Sequence, residues 1–160
     1  MTASATSVSN RRRFESSFKR PAFGQVRRIE VPVTFQNIHV GQAYSRPRLA
    51  DLWGYSGYQA LARGVVTPKD DNRIILFVTE EKQPFQEQYE DRLTGNTLQW
   101  EGPTDHFAED RMINAQENGD VIHVFHRERH HSDFTYLGRA IVLSVERSIG
   151  SPSRFRFRIE

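Results

Sequence analysis

The sequence contains no cysteine and no long apolar run. Without cysteine, the chain cannot build a disulfide scaffold, a thiolate zinc site, an Fe–S cluster or a thiol nucleophile. No apolar stretch approaches the ~20 residues of a membrane-spanning helix, and the polar, arginine-rich start lacks the apolar core of a secretory signal peptide. These absences predict a soluble, cytoplasmic protein.

Recognisable catalytic motifs are also missing. The sequence has neither the G-x-x-x-x-G-K-[ST] nor the G-x-G-x-x-G phosphate-binding pattern, and it has no G-x-S-x-G nucleophile elbow. Four histidines and an acid crowd into one window, but their spacing matches no standard metal site: His123, His126, His130, His131 and Asp133. We therefore predict no metal and no cofactor, and keep a metal-dependent nuclease that uses this window as an alternative.

The length of 160 residues leaves room for one domain and a tail. Residues 1–30 hold seven Lys and Arg residues against two acidic ones, in a segment with few apolar positions. We predict a basic, largely disordered arm over residues 1–27 and a single domain over residues 28–160. Such an arm suits attraction to nucleic acid, although a solubilising leader is an equally simple reading.

Hydrophobic periodicity predicts mainly strands. Apolar and polar residues alternate over 29–36, 98–101 and 154–159, and apolar runs occupy 73–79, 121–125 and 134–145. Ser45 and Pro47 predict a short helix that ends at Gly54, and weaker signals suggest helical turns at 59–62 and 105–118. Residues 80–95 are charged and predict a surface loop, and Gly138 predicts a bulge. The predicted fold class is β-dominated α+β, a curved sheet or open barrel with two or three short helices.

Several aromatic residues fall in or beside polar loops. Flat aromatic walls with a few polar groups are typical of a pocket for a planar ligand, such as a base extruded from a duplex. The candidate pocket residues are the aromatics Trp53, Tyr55, Tyr58, Trp100 and Tyr136, with Asp70, Asn72 and Glu101 as the polar edge. The alternative is that each aromatic simply packs in the core, where its burial energy is large.

Basic residues outside the arm suggest contact with a DNA backbone. One cluster lies between two predicted strands and another follows one face of the last strand, where Arg side chains can bind phosphates. The candidates are Arg63, Arg127, Arg129, His130, His131, Arg154 and Arg156. The alternative is that Glu128 and Asp133 neutralise the basic cluster in a solvent-exposed surface network, with no contact to DNA.

About 100 residues resemble a known bacterial family. The segments that carry the resemblance are GQAYSRPRLADLWGY, YQALARGVVTPKDDNRIILFVTEEKQ, LQWEG, RMINA and GDVIHVFHRERHHSDFTYLGR. They are similar to a domain of unknown function found at the C-terminus of type IV restriction enzymes that join a phospholipase-D-type nuclease to a helicase, and beside HNH nucleases. In those enzymes the domain is regarded as an SRA-like, PUA-like reader of modified cytosine.

The resemblance implies a non-catalytic module that binds double-stranded DNA and recognises 5-methylcytosine or 5-hydroxymethylcytosine by base flipping, in defence against modified foreign DNA. No nuclease or helicase motif accompanies it here, so such an activity would come from a partner or from a fused domain. Besides the nuclease, one further alternative stays open. The domain would then dock a helicase or nuclease without touching DNA.

Overall fold

The computed structural model describes residues 33–81 and 91–160. In this part of the chain, eight strands form one sheet. The strands are β1 (Ala43–Tyr44), β2 (Val65–Val66), β3 (Arg73–Glu81), β4 (Arg92–Thr94), β5 (Thr97–Glu101), β6 (Val121–Arg129), β7 (Phe134–Glu146) and β8 (Arg154–Ile159). The helices are α1 (Arg46–Leu52), a 3₁₀ turn (Tyr58–Leu61), α2 (Glu109–Ile113) and α3 (Ala115–Asn118).

The strand order is β2-β3-β6-β7-β8-β5-β4, with β1 paired to β7. The central pair β3 and β6 is parallel, and every other pair is antiparallel. Among the described residues, the end strands β2 and β4 do not pair with each other, so the sheet stays open. The β-dominated α+β prediction is confirmed.

The start of α1 follows directly from its sequence. Ser45 lies in the extended region, its hydroxyl oxygen accepts a hydrogen bond from the backbone N–H of Arg48, and Pro47 occupies the first turn. These are the N-terminal signals expected of a helix, since they satisfy a free N–H and preset the backbone. The helix buries Leu49 and Ala50 against the sheet and ends at Leu52 with Trp53 as its C-cap, so the predicted helix is present and stops two residues before Gly54.

The central strand β3 is buried on both faces from Ile74 to Val78. Odd-numbered residues of β3 and β6, such as Phe77 and Phe125, pack in one core with α1 and the start of β7. Even-numbered residues, such as Leu76 and Val124, pack in a second core with β5, β8 and α2. The continuous apolar run of β3 is therefore the signature of a strand covered on both sides.

Strands β7 and β8 also match their predictions. The pairing of β6 with β7 shifts register opposite Gly138, which has φ of +111°, and a Cβ there would lie 3.4 Å from the carbonyl oxygen of Glu160. The predicted bulge is confirmed, and the positive φ is the feature that favours glycine at this position. In β8, Phe155 and Phe157 point inward, and the arginines between them face outward.

Other sequence predictions need correction. Residues 33–36 form no strand, and the rest of the predicted first strand, like the basic arm, lies outside the described residues. Both ends of the predicted loop at 80–95 are strand instead, because β3 continues to Glu81 and β4 begins at Arg92. The predicted helix over 105–118 is two short helices that meet at Asn114. No described helix is long and apolar enough to cross a membrane.

Candidate functional site

A cleft of about 350 Å³ opens where the carboxyl-terminal halves of β3 and β6 meet the end of β5. This volume lies at the lower end of the range of small-molecule pockets. The lining residues that matter chemically are Arg46, Phe77, Asp91, Trp100, Arg127 and His130. They come from α1, β3, the start of β4, the end of β5 and the end of β6, so the cleft depends on the whole sheet.

One end of the cleft is acidic. Asp91 is only 8% exposed, and its Oδ1 accepts a hydrogen bond of 2.9 Å from the backbone N–H of Glu101. Glu101 also lines the cleft, and its carboxylate lies 3.5 Å from Nε of Arg154. The two carboxylates place acceptor oxygens at this end of the cleft, which suits a ligand that offers N–H groups.

Aromatic rings also line the cleft. Trp100 packs with its ring centroid 5.5 Å from that of Phe155 and borders the cleft with the rest of its surface. Phe77 lines the cleft from β3, and Phe107 lines it from the loop before α2. The guanidinium of Arg63 lies 4.6 Å from the ring centroid of Phe107 and pairs with Asp105. Trp100 and Phe77 are each 5% exposed, so each presents only part of its ring to the cleft, whereas Phe107 is half-buried. The rings form the apolar part of the lining.

The other end of the cleft is cationic. The guanidinium carbon of Arg46 lies 4.8 Å from the ring centroids of both Phe77 and Phe134, and that of Arg127 lies 4.2 Å from Phe134. Nε of Arg127 also donates a 2.8 Å hydrogen bond to Oγ1 of Thr79. Both guanidinium groups are therefore held in place by packing before any ligand arrives.

Burial and mutual repulsion perturb the cationic end. Burial, with a smaller contribution from the charge of Arg127, lowers the pKa of Arg46 to about 10. Burial also lowers the pKa of Arg127. The pKa of His130 is lowered by partial desolvation and then by the charges of His131, Arg127 and Arg46. Each of these shifts means that positive charge is disfavoured here until an anion compensates it.

The cleft brings together five of the residues predicted from the sequence. Two of them, Trp100 and Glu101, are predicted for the base pocket. The other three are predicted to contact the DNA backbone: Arg63, Arg127 and His130. The carboxylates and the arginines thus line one cavity.

The other predicted pocket residues lie elsewhere. Trp53 is buried in the first core, where its Nε1 donates to the carbonyl oxygen of Thr34, and Tyr136 lies in the same core. Tyr55 packs against that core, and Tyr58 is exposed in the 3₁₀ turn. Asp70 and Asn72 belong to the turn before β3, where Nδ2 of Asn72 donates to the carbonyl oxygen of Gly119. The structure does not bring these six side chains to the cleft.

The remaining residues that are predicted to contact the DNA backbone lie on the protein surface. Arg154 and Arg156 project from the outer face of β8 and line a second, smaller cleft of about 180 Å³. Arg129 and His131 are exposed at the β6–β7 turn, where His131 has φ of +69°.

Sequence reasoning missed Arg46, Phe77 and Asp91. Asp91 lies within the charged stretch 80–95, which is interpreted as a surface loop, and Phe77 belongs to an apolar run that is interpreted as a buried strand. Arg46 carries no signal of its own, because it is the first residue of a short helix. These three residues come from segments that are distant in the sequence, and only the folded sheet with α1 brings them to one place.

The histidine window does not form a metal site among the described residues. His123 stacks on Phe35 with ring centroids 3.7 Å apart, and its Nδ1 lies 2.7 Å from the hydroxyl of Tyr136. His126 leaves the opposite face of β6 and lies 3.2 Å from Oε1 of Glu80. Alternation along the strand therefore separates the two histidines, as the sequence predicts.

Comparison with family models and with curated proteins found no match. Solved structures do match. The SRA domain of SUVH5 in complex with hemimethylated CG DNA is 16% identical with a TM-score of 0.55, covering 81% of this chain and 94% of that chain. The same domain bound to fully hydroxymethylated CG DNA is 17% identical with a TM-score of 0.52 and the same coverage. At these identities the likeness establishes the fold, and the chain has the fold of an SRA domain.

Proposed function

We propose that this chain is a DNA-binding module that recognises a modified cytosine, 5-methylcytosine or 5-hydroxymethylcytosine, after the base has flipped into the cleft. The observation that carries the proposal is the combination, in one cavity, of the Trp100 ring with the carboxylates of Asp91 and Glu101. A flipped base needs this combination, because it is held by apolar or aromatic surfaces and identified through hydrogen bonds to its edge.

The acidic end of the cleft identifies the base as cytosine. A carboxylate accepts hydrogen bonds from the N4 amino group of cytosine, whereas the O4 carbonyl of thymine at the same position is repelled. Asp91 is suited to this role because its contact with the Glu101 backbone fixes its position. The solved SRA complexes with methylated and hydroxymethylated DNA support the same reading.

Affinity for the duplex comes from cations around the cleft. Arg63 borders it, and Arg129, Arg154 and Arg156 are exposed on adjoining surfaces. Arginine contacts to phosphates supply salt-dependent binding without sequence information. Selectivity for a methyl group is modest, below about tenfold, because one methyl in an apolar pocket contributes only ~1 kcal/mol.

The module needs no covalent step, and we propose that it is not itself an enzyme. In restriction of modified foreign DNA, cleavage would then fall to a nuclease or helicase, acting as a partner or as a fused domain. The basic arm over residues 1–27 adds non-specific attraction to DNA in this proposal.

The test is fluorescence anisotropy with matched duplexes that carry cytosine, 5-methylcytosine or 5-hydroxymethylcytosine at one position, across a salt series. We expect tighter binding to at least one modified duplex at every salt concentration. Equal binding to all three with a steep salt slope would leave only a basic surface. Undetectable binding at low salt would favour a protein-docking module, and DNA cleavage that depends on added divalent metal would favour the nuclease.

A further inference from the structure

The cationic end of the cleft has an excess of positive charge. Among the described residues, neither Arg46 nor Arg127 forms an ion pair, whereas Arg63 at the rim pairs with Asp105. Two guanidinium groups on neighbouring rings repel each other and are costly to desolvate together. Cation–π contacts with Phe77 and Phe134 hold the two groups in place, and Arg127 also donates hydrogen bonds to Oγ1 of Thr79 and to the carbonyl oxygen of Ser132.

Buried polar atoms at this end also lack hydrogen-bond partners. Nε of Arg46 and Nδ1 of His130 are both inaccessible to solvent and have no hydrogen-bond partner among the described residues. Both residues line the cleft. Since buried polar atoms in native proteins are nearly always satisfied, unsatisfied atoms beside a cavity indicate where a ligand supplies the missing acceptor.

The ligand group that fits is an anion with several acceptor sites. A neutral carbonyl oxygen supplies two lone pairs and no charge, whereas a carboxylate supplies about four acceptor sites and a full negative charge that can engage two guanidinium groups. Binding a carboxylate here would relieve the repulsion between Arg46 and Arg127 and supply an acceptor for Nε of Arg46.

We propose that Arg46, Arg127 and His130 form an oxyanion subsite that reads an ionised carboxylate at position 5 of the flipped cytosine, so that 5-carboxylcytosine is the preferred ligand. This inference rests on the proposed function, because it places the base in the same cleft. Asp91 and Glu101 then bind the amino group at position 4 while the arginines bind its neighbour at position 5. The cleft has charges of both signs because these adjacent groups of the base are of opposite character.

The positions of the cations distinguish a carboxylate on the flipped base from a phosphate of the DNA backbone. The guanidinium of Arg46 packs between two rings inside the cleft, whereas the exposed Arg154 and Arg156 are placed to meet phosphates at the surface. A phosphate contact strengthens binding to every duplex alike, whereas a contact to the 5-substituent changes the ratio between duplexes. The ratio is therefore the quantity to measure.

The experiment compares the full chain on four duplexes that differ only at position 5 of one cytosine: hydrogen, methyl, carboxamide and carboxylate. The carboxamide is nearly isosteric with the carboxylate but neutral. We expect the carboxylate duplex to bind roughly tenfold to hundredfold more tightly than the carboxamide duplex, which is the range of a charge-assisted hydrogen bond. Arg46→Gln and Arg127→Gln should each bring this ratio close to one, and Arg48→Gln, on the exposed side of α1, should leave it unchanged.

Each contrary result has one meaning. If the methyl duplex binds more tightly than unmodified DNA but the carboxylate gains nothing over the carboxamide, the inference fails and the proposed function stands. If Arg46→Gln and Arg127→Gln weaken all four duplexes by the same factor, the cluster binds a backbone phosphate and the inference is overturned. If all four duplexes bind the unmutated chain equally, the proposed function fails with it. The measurement on the unmutated chain is decisive even where a variant does not fold.

Discussion

Oδ1 of Asp91 lies 2.9 Å from the backbone nitrogen of Glu101 and accepts its hydrogen bond, which joins the start of β4 to the end of β5. The contact places a buried carboxylate at one end of the cleft, beside the Trp100 ring. The opposite end is formed by arginines that come from α1 and β6. The polarity of the cleft therefore depends on the pairing of distant strands, and each end can be tested separately.

The first prediction concerns the charge of Asp91. In Asp91→Asn the amide oxygen can still accept the N–H of Glu101, but the negative charge is lost and one oxygen becomes an N–H donor. We expect affinity for 5-methylcytosine DNA to fall tenfold or more, as for a lost hydrogen bond to a charged group, ~1.5–3 kcal/mol. Asp105→Asn, at an exposed carboxylate, is the control and should cost less than about threefold. Unchanged affinity in Asp91→Asn would exclude the carboxylate from recognition.

The second prediction separates the two roles of Trp100, which borders the cleft and packs on Phe155 and Phe157. Trp100→Ala should lower the free energy of unfolding by about 3–5 kcal/mol, as for large aromatic residues in a core. Trp100→Phe keeps an aromatic ring and should cost less stability, so that its loss of DNA affinity reports on the cleft. Urea denaturation and anisotropy measure the two effects. A Trp100→Phe protein with full affinity would show that the indole is needed only for the core.

Much of the fold is predictable from local patterns, because the alternation in β8, the apolar run of β3 and the cap at Ser45 are dictated by neighbouring residues. Packing that depends on residues far apart in the sequence is not predictable in this way. The core position of Trp53 depends on the distant Thr34 and Phe125. The cleft is predictable only in part, since Trp100 and Glu101 carry a visible signal and Arg46 does not.

The third prediction concerns the bulge at Gly138. Gly138→Ala forces a side chain into a positive φ and brings its Cβ to 3.4 Å from the carbonyl oxygen of Glu160. We expect a loss of about 1–3 kcal/mol in the free energy of unfolding, from backbone strain. Gly64→Ala is the matched control, because its new Cβ would meet only the carbonyl oxygen of Phe77 at an ordinary 3.7 Å. Equal stability of both variants in thermal denaturation would contradict the argument.

The fourth prediction concerns the outer face of β8. Arg156 is exposed and is placed to contact phosphate, so Arg156→Gln should weaken binding to modified and unmodified duplexes by the same factor. The slope of log affinity against log salt should become shallower by about 0.9, the value for one lost phosphate contact. A change in the ratio between modified and unmodified DNA would instead place Arg156 at the base.

The fifth prediction is a pH dependence of stability that arises in the core. Burial, followed by the charges of Arg139 and Arg73, lowers the pKa of His123 from 6.5 to about 4. Between these two values the unfolded chain binds a proton that the folded chain does not, so the free energy of unfolding falls as the pH falls.

The matched variant is the double substitution His123→Phe with Tyr136→Phe, which removes both partners of their 2.7 Å contact without leaving one of them unsatisfied. From pH 7 to pH 5, urea denaturation should show the unmutated protein losing about 2 kcal/mol more stability than this variant, because only the unmutated protein has the shifted histidine. The other titrating groups are common to both proteins and cancel in the difference. Equal losses would mean that His123 takes up its proton in the folded state near its ordinary pKa, which its stacking on Phe35 argues against.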